Sequence, residues 1–489
     1  MYKAVIGLEV HTELNTISKM FSGSKNEYTK EANTNISEID LALPGILPLP
    51  NIEGVRKALK LAMCLNCETP NVVMFDRKNY YYADLPKGYQ LTQMTKPFGK
   101  NGYLDIEVNG VSKRVRIHQL HLEEDSASMT HESTYSLLDY NRAGVPLIEI
   151  VTEPDMNTID EVIEYLENLR SIIKYAGVSE ASSEKGQLRV DVNISMMKEE
   201  DTVLGTRAEI KNINSFNAVK EVIAYEMKRQ EEVLSSGGKV VQETRRWVDD
   251  EKKTVSMREK VDAIDYRYYV EPNIPVVKLS EDFKEEIRKS IPLLPLERMK
   301  KYISLGVSSK DAKTIVREKA VSDYFDEVLS HNVDAKEASN WMTTRLMGYM
   351  NQNNMSINEV YLRPEMLASL VSLVTTGKIS SQQAKDVFAF CLEENKTPEE
   401  IVKEKAMEQI SDEETIREMV KEVINSNPNQ YEAYKSGKTA LLGFFVGQTL
   451  KASGGKANPA VVNKLVYEEL NKWGKSWKNT HTTMTAKKE

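Results

Sequence analysis

Cysteine is scarce. The 489 residues hold three, Cys64, Cys67 and Cys391. Cys64 and Cys67 form a C-x-x-C with no second C-x-x-C to complete a zinc site. They close an amphipathic helical pattern over 52–66 and read as small core residues, as does Cys391 in an apolar stretch. Long apolar runs are absent too, as is a charged-then-apolar leader, so no membrane span and a cytoplasmic location are expected. Excess base is missing: the net charge is -8 with pI near 5.6. Any nucleic-acid contact must then come from a local patch. There is no G-x-x-x-x-G-K-[ST] loop and no G-x-G-x-x-G after the first strand. A bound nucleotide would be held by side chains and metal on a sheet. No nucleophile elbow or Ser-His-acid triad is evident.

What is present is an unusual pair of strands between Gly186 and Phe216. Leu188, Val190, Val192 and Ile194 alternate with Arg189, Asp191 and Asn193. Thr206, Ala208 and Ile210 alternate with Arg207, Glu209 and Lys211. Strands send successive side chains to opposite faces. One face is therefore apolar, and the other interleaves metal-capable acids with phosphate-capable bases. An ordinary solvated sheet face explains the alternation as well, so partners elsewhere in the chain matter.

The length predicts about two to four domains. Residues 1–292 are rich in short alternating strands, glycine and proline. A hairpin is expected around Asn109-Gly110, and a capping box, Thr158 with Glu161, opens a helix running to about Tyr175. A second helix is expected from Ala218 to Leu234, ending at Gly237-Gly238. Strand patterns then vanish. We expect an all-helical domain over 293–408, a small helical tail domain over 409–478, and disorder over 479–489. The fold class is α+β, with a mostly antiparallel sheet.

Further acids lie on the first strand, Glu9 and His11, and in Glu123-Glu124-Asp125. With Asp191 and Glu209 they suit Mg²⁺ or Mn²⁺ better than a closed zinc site. Each alone reads as a solvated charge; only their joint presence in one strand-rich domain is informative. Lys78, Lys87, Arg189, Arg207 and Lys211 are candidates for phosphate oxygens. His118, His121 and His131 read as structural or surface residues.

Longer motifs add to this. IGLEVHTEL (6–14), FDRKNYYYADLPKGYQLTQ (75–93), HLEEDSA (121–127), DYNRAGVPLIEIVTEPD (139–155), GQLRVDVNISM (186–196), GTRAEIKNINSF (205–216), QETRRW (242–247), DYRYYVEPNIP (265–275) and FFVGQTLKASGGKANP (444–459) closely resemble the B-subunit family of aspartyl/glutamyl-tRNA(Asn/Gln) amidotransferases. The resemblance spans nearly the whole chain. It implies a cradle-like catalytic domain, a helical domain and a small tail. It implies ATP-dependent conversion of Glu-tRNA(Gln) or Asp-tRNA(Asn) to the amide through an acyl phosphate. Ammonia would come from an amidase partner, the A-subunit, and a small C-subunit would complete a heterotrimer. On this reading Glu9, His11, Glu123, Glu124, Asp191 and Glu209 would supply metal ligands. Glu124, Lys78, Arg189 and Lys211 would serve the chemistry, and Lys78, Lys87, Arg189, Arg207 and Lys211 would hold ATP or the acyl phosphate. The five acids and the histidine are expected to share one pocket. Many family members carry cysteine pairs where this chain reads KMFSGSKNEYTKEANTNISEIDLALPG (19–45), so no zinc is expected.

In the tail, Lys438, Lys451, Lys456 and Lys464 lie in a helical segment with helix breaks at Gly454-Gly455 and Asn458-Pro459. They read as candidate tRNA contacts or as a solvated lysine surface. A non-catalytic tRNA-binding scaffold is the alternative function; it would not need metal-capable groups interleaved with phosphate-capable bases. A metal-dependent hydrolase fits less well, because no open zinc ligand set is evident.

Overall fold

The structure is a computed structural model that describes residues 2–213, 215–259, 265–410 and 412–481. The chain divides into two compact bodies. One is Met1–Met299 with Val316–Lys319, and the other is Lys300–Ile315 with Ala320–Glu489.

The first body is built on an eight-stranded sheet. Its strands are β1 (Tyr2–Glu13), β2 (Gly99–Val108), β3 (Val111–Glu124), β4 (Pro146–Thr152), β5 (Leu188–Lys198), β6 (Ala208–Ile213), β7 (Glu243–Val248) and β8 (Lys253–Glu259). They lie side by side in the order β8-β7-β6-β5-β1-β4-β3-β2. β1 is central and pairs antiparallel with both β5 and β4. The β2–β3 hairpin turns at Asn109 and Gly110, with φ of 52° and 79°. Both values are positive, as a two-residue turn matching strand twist requires. One pairing is parallel: Ala208 of β6 lies against Glu243 of β7. Parallel neighbours need a crossover, and the helix α3 (Phe216–Ser235) lies between them in the chain.

The alternation read from sequence is realised. Leu188, Val190, Val192 and Ile194 are at most 4% exposed, and with Ile6, Leu8 and Val10 they belong to a single core. That core takes in the buried faces of α1 (Ile52–Cys64), α2 (Ile159–Tyr175) and α3. Burying a Leu, Ile or Val side chain contributes ~1.5–3 kcal/mol, so this face holds the sheet in register. The Thr158–Glu161 capping box starts α2. Cys64 is buried, and burial pushes its thiol up to about 12. Cys67 packs so closely on Gly102 that a Cβ there would sit 2.3 Å from its sulfur. Both cysteines are free, as is buried Cys391.

The loop at 19–45 is organised by charge. Lys19, fully buried, donates to Asp40 at 3.3 Å. Asp40 also accepts from the hydroxyls of Ser22 and Ser24, each at 2.7 Å, and from the Ser37 amide at 2.9 Å. A buried pair persists only when its remaining hydrogen-bonding capacity is met, and here the serines meet it for Asp40.

The second body is helical throughout its described elements. Within it, Ile416, Val420, Ile424, Phe445, Val462, Leu465, Val466 and Leu470 form an apolar cluster of their own. The last helix runs Pro459–His481, with the Asn458 side chain accepting from the Ala460 amide at 3.0 Å. Of the expected disordered end, residues 482–489 lie outside the described residues.

Candidate active site

Opposite the apolar core, five neighbouring strands present polar side chains. Glu9 lies directly across from Asp191, His11 across from Arg189 and Glu149, and Asn193 across from Glu209. His121 lies across from Glu149 on the other side. Antiparallel partners share a face with Cβ atoms ~4.5–5.5 Å apart. The register therefore gathers residues distant in sequence into two groups. Glu9, Asp191 and Glu209 each offer an oxygen within 4.8 Å of the others, and a ring nitrogen of His11 lies likewise with oxygens of Glu123 and Glu149.

Of the six ligands expected from sequence, five fall into these groups, three in one and two in the other. Glu124 does not join them. It follows Glu123 on β3 and so projects to the other side, where it forms a buried ion pair with Lys87 and accepts from the Leu91 amide at 2.9 Å. Glu149 was not singled out in the sequence, although it sits in the alternating run LIEIV, on the strand next to that of Glu9. His121, read there as structural, lies 2.6 Å from Glu149 and 3.4 Å from Glu123. Its spacing of two from Glu123 on one strand was the available signal.

The electrostatics of the two groups differ. Burial pushes the Glu9 carboxyl above its ordinary range, and Glu149 and Glu209 add to this; Lys211 and an Asn193 hydrogen bond of 3.0 Å only partly offset it. Burial works against charge on His121, but Glu149 and Glu123 outweigh it and lift the imidazole to about 10. Burial would raise Glu149, yet His121, His11 and Lys78 together hold it well below the carboxylate range. Burial, then Asp125 nearby, raises Glu13 to about 7.

Of the expected basic groups, Lys78, Arg189, Arg207 and Lys211 border this face, whereas Lys87 pairs with Glu124 on the other side. Lys211 bridges Asp191 at 2.7 Å and Glu209 at 3.0 Å. Arg189 donates to Asp125 at 2.6 Å. Lys78 is half-buried; desolvation works against its charge, and Glu123 outweighs that cost with help from Glu149. Arg207 lines a pocket of about 200 Å³ beside Glu9, together with Val5, Asn193, Ser195, Leu204 and Gly205. Gly205 lies against the Met196 carbonyl, where a Cβ would come within 2.1 Å; only glycine allows the loop to close the pocket so tightly.

The donor set fits a hard divalent cation. Such ions take carboxylate and carbonyl oxygens, with imidazole tolerated. The side-chain oxygen of Asn193 and the Nδ1 of His121 are buried beside these groups with no hydrogen-bond partner. Buried polar atoms are seldom left so, and the Asn193 oxygen is a ready further ligand.

In the second body, Lys438, Lys451, Lys456 and Lys464 are all exposed. Lys464 pairs with Glu413 at 2.8 Å.

A mostly antiparallel sheet bearing two acidic, cation-capable groups with interleaved bases, in a chain whose second body is helical, defines an α+β class of protein with its candidate site on the sheet. Residues 4–285 match the family profile described as the GatB/GatE catalytic domain, and residues 323–470 match the one described as the GatB domain. The chain is 48% identical over 473 residues to the B-subunit of the aspartyl/glutamyl-tRNA(Asn/Gln) amidotransferase of Halalkalibacterium halodurans, covering 96% of this chain and 99% of that one. It is 47% identical to the same protein of Geobacillus thermodenitrificans and 48% to that of Bacillus licheniformis, with equal coverage. The chain belongs to the GatB/GatE family, and its sheet domain is that family's catalytic domain. No described helix is long and apolar enough to cross a membrane.

Proposed function

We propose that this chain is the ATP-using component of a glutamine-dependent amidotransferase that converts Glu-tRNA(Gln), Asp-tRNA(Asn) or both to the amidated forms. The observation that carries this reading is the pairing of two cation-capable groups along one sheet face with Lys78, Arg189 and Lys211 beside them. The relatives, named as B-subunits of aspartyl/glutamyl-tRNA(Asn/Gln) amidotransferases, support the tRNA amidation part of it.

A carboxylate resists attack by ammonia until its oxygen becomes a leaving group. Transfer of the γ-phosphoryl group to it gives an acyl phosphate and ADP; ammonia then displaces phosphate to give the amide. Phosphoryl transfer depends on alignment and charge neutralisation more than on covalent help. Mg²⁺ or Mn²⁺ would be held by Glu9, Asp191 and Glu209 and by His11, Glu123 and Glu149, and would supply that neutralisation. Lys211 and Lys78 add fixed positive charge next to each group. The pocket bounded by Arg207 and Gly205 has apolar walls suited to a nucleotide base and a guanidinium suited to phosphate. Glu124, on the other side of β3, supports the site from behind through its ion pair with Lys87 and its hydrogen bond from the Leu91 amide. Ammonia is assigned to an amidase partner, with a third, small protein completing the complex.

The test is direct. The assembled complex is incubated with Glu-tRNA(Gln) and γ-labelled ATP without an ammonia donor. Label should appear on the aminoacyl carboxylate in acid-quenched samples and disappear when ammonia is added. Label released only as free phosphate would overturn the acyl-phosphate route.

A further inference from the structure

Two tyrosine runs far apart in the chain meet beside the acidic site. One is Tyr80-Tyr81-Tyr82, and the other is Tyr266-Arg267-Tyr268-Tyr269. The segment Asp76–Asn79 lies between Tyr89–Thr92 and Tyr269–Val270 in a three-stranded sheet, with Arg77 opposite Tyr269. The Asn79 side chain secures the junction by donating to the Arg267 carbonyl at 2.7 Å.

The alternation of the strand divides the aromatics between two environments. Arg77 lies over Tyr89 at 4.0 Å and Tyr269 at 5.5 Å, and it also donates to buried Glu271 at 3.0 Å. That side is saturated and structural. Lys78 faces the other way, over Tyr266 at 5.0 Å and Tyr80 at 6.0 Å. There Tyr80, Tyr266 and Tyr268 form a continuous row, with ring centroids 6.3 and 5.9 Å apart and edge-to-face contacts. Tyr81 and Tyr82, 99% and 52% exposed, continue from Tyr80 towards solvent.

We propose that the Tyr80–Tyr266–Tyr268 row is a stacking platform for the unpaired 3′ end of the aminoacylated RNA, holding its last bases while the attached carboxylate reaches the His11–Glu123–Glu149 group. This rests on the function proposed above. Three features favour that occupant. Aromatic faces stack on any base and suit single strands. Lys78 stands among the rings, where a backbone phosphate or the substrate carboxylate finds a cation. An acidic chain gains little general attraction for RNA, so local stacking has to supply grip where the reacting group must be positioned. The base of ATP, on the function proposed above, is assigned to the separate pocket beside Glu9.

The experiment compares binding of intact tRNA and of tRNA lacking its terminal nucleotide, using the assembled complex. The unaltered complex should prefer intact tRNA by about tenfold. Tyr266→Ala and Tyr268→Ala should each erase most of that preference, while Tyr266→Phe keeps it and the KM for ATP stays unchanged. Melting curves of the variants establish that they are folded. An unaltered complex that binds both tRNAs equally, or alanine variants that retain the preference, would overturn the platform. A raised KM for ATP with the tRNA preference intact would make the row an adenine site for ATP instead and overturn it as well. Absence of amidation by the unaltered complex would sink the proposed function, whereas this comparison reads binding alone.

Discussion

Glu9 stands directly opposite Asp191 across the two central strands, β1 and β5. Neither residue is distinctive in its own segment. The register that joins them, with Glu209 one strand further, places three carboxylates within ligand distance of one another.

The first prediction concerns this group and pH. A cation needs the charged form of Glu9, and burial with nearby Glu149 raises its pKa. As pH falls through that raised value a proton competes for the site. Mn²⁺ affinity, read by titration of the purified complex, should therefore fall by up to about tenfold per pH unit on the acid side. In Glu9→Gln the affinity should be weaker and this dependence shallower. A pH-independent affinity in the unaltered protein would remove Glu9 from the ligand set.

Glu124→Gln removes a charge and little volume. We expect the complex to assemble normally, with amidation reduced by roughly 100-fold or more, the scale of losing one preorganised polar group. Acyl-phosphate formation and ammonia use should be measured separately. Because Glu124 holds Lys87 and the Leu91 amide from the far side of β3, both steps should fall together. Full activity in the variant would deny Glu124 any role.

Glu13 bears on stability. Its folded pKa, about 7, lies above the ordinary 4.5. The stability it contributes is fully present below about 4.5 and is lost as pH rises through 7. Glu13→Gln cannot ionise and should keep that stability at high pH. Its melting temperature should exceed that of the unaltered protein by about 2–4 °C at pH 8, and the gap should close towards pH 5. A gap that does not vary with pH would contradict the assignment.

The tail tests RNA capture. Deleting residues from about 411 removes the Ile416–Leu470 apolar cluster as a unit. The sheet domain has its own core and should remain folded. Lysine–phosphate contacts release counterions, so tRNA affinity of the truncated complex should be both weaker and less dependent on salt. Lys438, Lys451 and Lys456 should account for more of the change than Lys464, which already pairs with Glu413. Identical affinity and slope with and without the tail would leave these lysines as a solvated surface.

Much was legible where the governing physics is local. The alternation of Leu188–Ile194 with Arg189–Asn193 specified two faces of a strand. Asn109-Gly110 specified a hairpin, and Thr158 with Glu161 a helix start. Each depends on residues within a few positions, whose side-chain directions follow from the backbone period. Five of the six expected ligands also lie on the polar face of the sheet, because residues two apart on a strand share a face; which of them meet was decided by register. The joining of strands is a different matter. Glu149 and His121 enter the site only because β4 lies between β1 and β3, and Glu124 leaves it because β3 is still a strand there, so that it and Glu123 project to opposite sides. The parallel contact of β6 with β7 and the meeting of Tyr80 with Tyr266 are of the same kind. Such neighbours are chosen by burial of the whole apolar face and by interstrand hydrogen bonding across long loops, and a period of two along one strand carries no information about which strand will lie beside it.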